Sequence, residues 1–183
     1  MFIKCGIAAV VGAVAEARLG GDQHTPGDQF GWTGLVLTTF GFWTTTHGMV
    51  VGKARAKYME QAKKDGEKDV DERYGLPNLY AQGTSKNALG FNCVQRSHQH
   101  IFEGLTQMCV ASLVAALSFP ISTAVSTTAY AVGRYQLSLG YAASEGDASK
   151  RYSKPLSSMV WYGMITTFLL GTFSSFKLIK KSL

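Results

Sequence analysis

The chain has 183 residues, enough for one domain of ordinary size, and a formal net charge of +6. Its mean hydropathy of +0.03 is high for a soluble protein and low for one wholly embedded in lipid. The basic residues of the most charged stretch are interleaved with Glu60, Asp65, Glu67, Asp69, Asp71 and Glu72, which argues against nucleic-acid binding. Cys5, Cys93 and Cys109 have no paired spacing, so neither a disulfide framework nor a zinc knuckle is expected.

Met1–Gly20 carries one early lysine and a short apolar stretch, Cys5–Ala15. It has the shape of a secretory signal but is expected to be retained, as a helix packed on the rest of the protein or lying at the surface. Gly20–Gly31, with Pro26 and four glycines, reads as a linker. Phe30–Val51, Ile101–Phe119, Ile121–Ala143 and Ser158–Ile179 are apolar runs close to the ~20 residues that cross a bilayer. Thr and Gly within the first run suit close helix packing, and Trp32 suits an interface. Past Lys53, either the helix continues through Lys57–Glu72, supported by the i,i+4 pairs Glu60–Lys64 and Lys68–Glu72, or the segment is a solvated charged loop. Gly75 and Pro77 end it. Pro120 forces a tight turn between the second and third runs, and Pro155 is placed at the start of the fourth helix.

The pattern predicts an all-α, integral-membrane four-helix bundle with an N-terminal extension (residues 1–28). The transmembrane domain spans residues 29–183, with a charged insertion at about 59–90 between spans one and two. Lys and Arg crowd the first connection and recur at Lys150, Arg151 and Lys154, so the positive-inside rule turns both connections to the cytosol or matrix. Lys180-Lys181-Ser182-Leu183 matches a dilysine retrieval signal or, equally, a basic interfacial anchor.

The chemistry concentrates on the second span. On a helix, Asn92, Arg96, His100, Glu103 and Gln107 share one face, which is costly in a membrane unless it meets other helices or a ligand. The third span adds Arg134, with Tyr141 seven residues on and on roughly the same face. Glu103 can neutralise only one of the two arginines. That leaves either a structural Arg–Glu pair between helices or a surplus positive charge for an anionic guest. His98 and His100 point to nearly opposite sides of a helix, so no metal site is expected, and His47 reads as a packed or hydrogen-bonded histidine.

Phe91-Asn92-Cys93-Val94-Gln95-Arg96-Ser97-His98-Gln99, with Glu103 beyond, resembles the second-helix signature of the membrane-associated proteins in eicosanoid and glutathione metabolism (MAPEG). Lys53–Tyr58 resembles the end of that family's first helix. Gly133-Arg134, Gly140-Tyr141 and Ser149-Lys150-Arg151 resemble its third helix and following loop. The likeness runs from about Gly34 to the C-terminus, leaving Met1–Gly31 without counterpart and Glu60–Arg73 as an insertion.

The resemblance implies a homotrimer that uses glutathione as co-substrate to conjugate or reduce lipophilic molecules from membrane lipid. The chain is expected in the membrane of the endoplasmic reticulum, where the dilysine ending would be read, or in a mitochondrial membrane. By position, Arg96, His100, Glu103, Arg134 and Tyr141 would bind glutathione, and Arg151 would be catalytic. A free thiol with a pKa of about 8.5 is mostly protonated at neutral pH, and a guanidinium favours the thiolate. The chain departs from the pattern at His100 (for asparagine), Leu137 (for tyrosine) and Ala56 (for a basic residue), and its Tyr141–Arg151 loop is longer. These departures leave open whether it is an enzyme. The alternative is a non-catalytic accessory subunit of a larger, heteromeric membrane complex such as a mitochondrial respiratory one.

Overall fold

The computed structural model describes residues 2–20 and 29–183. Most of the expected Gly20–Gly31 linker therefore lies outside the described residues. The described chain is helical: α1 (Phe2–Gly20), α2 (Phe30–Lys64), α3 (Val70–Tyr74), α4 (Lys86–Ala116), α5 (Pro120–Ala142), a short 3-10 turn (Ala148–Tyr152) and α6 (Met159–Ser182).

Several boundaries correct the sequence reading. The first helix does run past Lys53, and Lys64 and Glu60 pair at 2.6 Å. It stops at Lys64 rather than Glu72, because Gly66 (φ 73) and Asp69 (φ 52) reverse the backbone in the left-handed region. Five residues, Val70–Tyr74, form a separate turn of helix. The charged connection is shorter than expected, since α2 and α4 take both of its ends. Ser85 starts α4 by accepting the Ala88 N–H at 3.2 Å. Pro120 is the first residue of α5, where a missing N–H costs nothing. Pro155 instead lies in the turn ahead of α6, which begins at Met159.

Among the described helices, only α6 is both long and apolar enough by composition to cross a membrane. Helices α2, α4 and α5, at 35, 31 and 23 residues, have the length. Their Thr, Ser, His and Arg residues lower the hydropathy. Many of these residues are buried, including Thr33, Thr44, Ser112, Thr123, Ser126 and Thr127.

Two compact units divide the chain. The first comprises Met1–Gly41, Gly104–Arg134 and Ser158–Leu183, and the second Phe42–Glu103 and Tyr135–Ser157. In the first, α1 packs on α6. Small polar pairs tie helices together: Ser112–Thr127 at 3.1 Å, Ser126–Thr167 at 2.8 Å and Ser174–Ser118 at 3.0 Å. A Cβ on Gly133 would meet the Val160 nitrogen at 2.0 Å, and one on Gly163 the Tyr130 nitrogen at 2.3 Å, so α5 and α6 touch backbone to backbone.

In the second unit, Val51, Ala62, Val70, Tyr74, Ala81, Ala88, Phe91 and Val94 form an apolar core. Arg55 locks the connecting segment onto it. Its guanidinium lies over the Phe91 ring at 4.5 Å and donates to the carbonyls of Tyr74, Asn78 and Leu79. Glu67 is the second anchor. It accepts from Arg73 at 3.0 Å, Ser85 at 2.9 Å and Asn87 at 2.9 Å.

Candidate functional site

Helix α4 presents the predicted polar stripe, but its members have different employment. Asn92 serves the fold. Its Oδ1 accepts the Ala81 N–H at 2.8 Å and its Nδ2 donates to the Ala81 carbonyl at 3.0 Å, as a strand partner would. Arg96 and Glu103 face each other two turns apart in a bidentate pair, Nη1–Oε1 2.6 Å and Nη2–Oε2 3.0 Å. Their side chains are 39% and 45% exposed, so both charges remain accessible to a ligand. His100 sits between them on the same helix face, half-buried. The pair lies within α4, so it does not tie two helices together.

Two further predicted residues come to the same unit from the chain's later part. Tyr141 is 6% exposed and lies within electrostatic reach of both Arg151 and Arg96. Arg151 is carried by the 3-10 turn, where Asp147 accepts from the Ser149 N–H at 3.0 Å and hydroxyl at 2.6 Å. The longer loop folds back through left-handed Glu145 (φ 49) and Gly146 (φ 98). Gly140 then lets the turn rest on α5, since a Cβ there would stand 2.1 Å from the Arg151 carbonyl oxygen. The Arg151 guanidinium lies 5.0 Å from the Tyr152 ring and donates to the Ala148 carbonyl at 3.1 Å.

Arg134 belongs to the first unit. It is 6% exposed, donates from Nε to the Tyr130 hydroxyl at 3.0 Å and lies over that ring at 5.1 Å. Among the described residues, no carboxylate forms a salt bridge with it. Gly104 leaves room for it, since a Cβ there would stand 3.0 Å from its Nη2. Of the departures, Leu137 is 2% exposed in the core and Ala56 is exposed.

The sequence did not single out Tyr152 or the Tyr80–Gln99 hydrogen bond. Tyr80 donates from its hydroxyl to Gln99, one helical turn from Arg96. The position of Gln99, three residues past Arg96, is the signal that could have flagged it. His47 is buried, with its Nδ1 3.2 Å from the Nδ1 of His98, so a hydrogen bond in which one ring donates joins α2 to α4. No group of three or more His, Cys, Asp or Glu that could hold a metal occurs among the described residues.

A family model described as the MAPEG family matches residues 33–173. The chain belongs to the MAPEG family, whose members are membrane proteins of glutathione- and eicosanoid-type function. Helix α1 precedes the matched region. No solved structure gives a significant match.

Proposed function

We propose that the protein is a membrane-bound glutathione transferase or peroxidase, most similar in its motifs to the microsomal glutathione S-transferases of type 3. In this reading α2, α4, α5 and α6 span the bilayer of the endoplasmic reticulum or a mitochondrion, and the protein works as a homotrimer. The observation that carries it is the exposed Arg96–Glu103 pair with Tyr141 and Arg151 in one unit. Glutathione carries an ammonium and two carboxylates. It can replace each member of the pair by a partner of the same charge, one carboxylate on Arg96 and its ammonium on Glu103, so neither Arg96 nor Glu103 is left unpaired and one glutathione carboxylate remains to be held elsewhere. His100 adds a donor on the same face.

Arg151 then favours the thiolate, and Tyr141 offers a hydroxyl. In conjugation, the thiolate sulfur forms a bond to an electrophilic carbon as the leaving group departs with its electron pair. In peroxide reduction, the sulfur attacks the terminal oxygen and releases the alcohol, and a second glutathione converts the resulting sulfenic acid to disulfide and water. Titration calorimetry on the purified protein is expected to show binding at millimolar glutathione, lost in Arg96→Ala. Absence of binding to folded wild-type protein refutes the proposal.

A second reading, an accessory subunit of a larger membrane complex, is favoured by Leu76 and Leu79. They are 83% and 53% exposed on the connecting segment and offer a docking surface. Gentle detergent extraction separates the two readings: a free homotrimer supports the enzyme, and a heteromeric assembly supports the accessory role.

A further inference from the structure

A cavity of about 580 Å³ lies wholly within the first unit, between α1, α5 and α6. Its walls are mostly apolar, built from small residues: Ala8, Gly12 and Ala15 of α1 face Ala129 of α5 and Gly163 of α6. Residues 8, 12 and 15 share one helical face, so α1 supplies a wall without bulk. At Gly12 the helices approach closely, since a Cβ there would stand 2.9 Å from the Ser122 hydroxyl. The space beside that contact has the size of an ordinary ligand pocket, which runs from roughly 300 to 1,000 Å³.

One charged group lines it. Glu16 is 7% exposed, and its two oxygens accept the Ile121 and Ser122 N–H groups at 2.9 and 3.3 Å. Each oxygen keeps a second lone pair. Val125, 66% exposed, forms part of the wall on the outer face of α5. A molecule dissolved in lipid can enter past it.

The geometry points to a binding site for a single-chain lipophile whose head donates a hydrogen bond, a hydroxyl or an ammonium, to Glu16. The chain fills the apolar walls, where unfilled volume forfeits dispersion contacts. A carboxylate head is rejected, because it would bring a second negative charge beside Glu16, and the other polar side chains lining the cavity, Gln29, Ser122, Tyr162 and Thr166 among them, are neutral. This site depends on α1, which lies outside the family-matched region, and it is independent of glutathione binding.

The test uses the full chain in phosphatidylcholine nanodiscs with two photoreactive diazirine probes of equal length, a dodecyl alcohol and the corresponding carboxylic acid, at a pH where the acid is ionised. The alcohol is expected to label α1 and α5 peptides, with labelling competed by plain dodecanol. The acid is expected to label them about tenfold less, equivalent to about 1.4 kcal/mol. Glu16→Gln keeps an acceptor for the α5 amides but removes the charge, so it narrows the difference to about twofold. Ala129→Trp fills the cavity and abolishes labelling by both probes while circular dichroism and gel filtration match wild type. Equal labelling by acid and alcohol in wild type, or alcohol labelling that persists in folded Ala129→Trp, overturns the site. If Glu16→Gln unfolds, the comparison of the two probes on wild type and Ala129→Trp decides alone.

Discussion

At the scale of single residues, what matters is which charges are already spoken for. Arg55 and Arg73 look as available in the sequence as Arg96, yet Arg55 is consumed by three carbonyls and Arg73 by Glu67 and the Gln82 carbonyl. Arg96 is paired too, but with a partner that a zwitterionic ligand can replace. Exchanging the two charges by Arg96→Glu with Glu103→Arg is expected to keep the ion pair and the fold. It reverses the order of charges along α4, so calorimetry should show glutathione affinity lowered at least about tenfold. Glu67 supports a stability prediction. Burial raises its carboxyl pKa, but the hydrogen bonds from Asn87 and Ser85 and the charge of Arg73 outweigh it and leave the net value lowered. A lowered folded value means that the stabilisation is present above the ordinary carboxylate range and lost as pH falls through the lowered value. Glu67→Ala, which takes one partner each from Arg73, Ser85 and Asn87, should cost about 2 kcal/mol in thermal melts near neutral pH, and the gap from wild type should close in acid. A constant gap across that range contradicts the role given to Glu67.

At the scale of elements, glycine decides how closely helices meet. The Gly133 and Gly163 contacts bring α5 and α6 together at backbone distance. Gly163→Ala pushes its methyl against Ser126 and Tyr130 backbone atoms, which cannot rotate away, and should destabilise by about 1–3 kcal/mol. Gly140→Ala should lift the 3-10 turn and displace Arg151. Its expected signature is a fall in kcat with little change in glutathione affinity, because Arg96 and Glu103 stay in place. An equal loss of both would show that the turn also shapes the binding face. The connecting segment teaches a related lesson. Its i,i+4 charge pattern favours helix from Lys57 to Glu72, and Glu60–Lys64 does pair. Gly66 and Asp69 nevertheless turn the backbone, and the Arg55 and Glu67 networks hold the turned form.

At the scale of the whole molecule, four spans would put the 65–85 segment on the side opposite both termini, and the charge bias would turn that segment to the cytosol or matrix. In sealed, oriented vesicles, Glu72→Cys and Lys181→Cys should react with a membrane-impermeant maleimide from opposite faces, and labelling of both from one face rules out four spans. Helix content, the polar stripe on α4 and family membership were legible from local signals: apolar runs of bilayer length, the Pro120 stop, and the order of Arg96, Glu103, Arg134, Tyr141 and Arg151 along the chain. Those signals depend on nearest neighbours and period alone. Tertiary packing decided the rest, because it sets which polar groups meet across distances the sequence does not encode. It gave Asn92, on a face the sequence left open between other helices and a ligand, to the backbone of Ala81, and it joined His47 of α2 to His98 of α4. It also brought Glu16 to the start of α5, 105 residues away, where two unsatisfied amides required an acceptor and no local side chain supplied one.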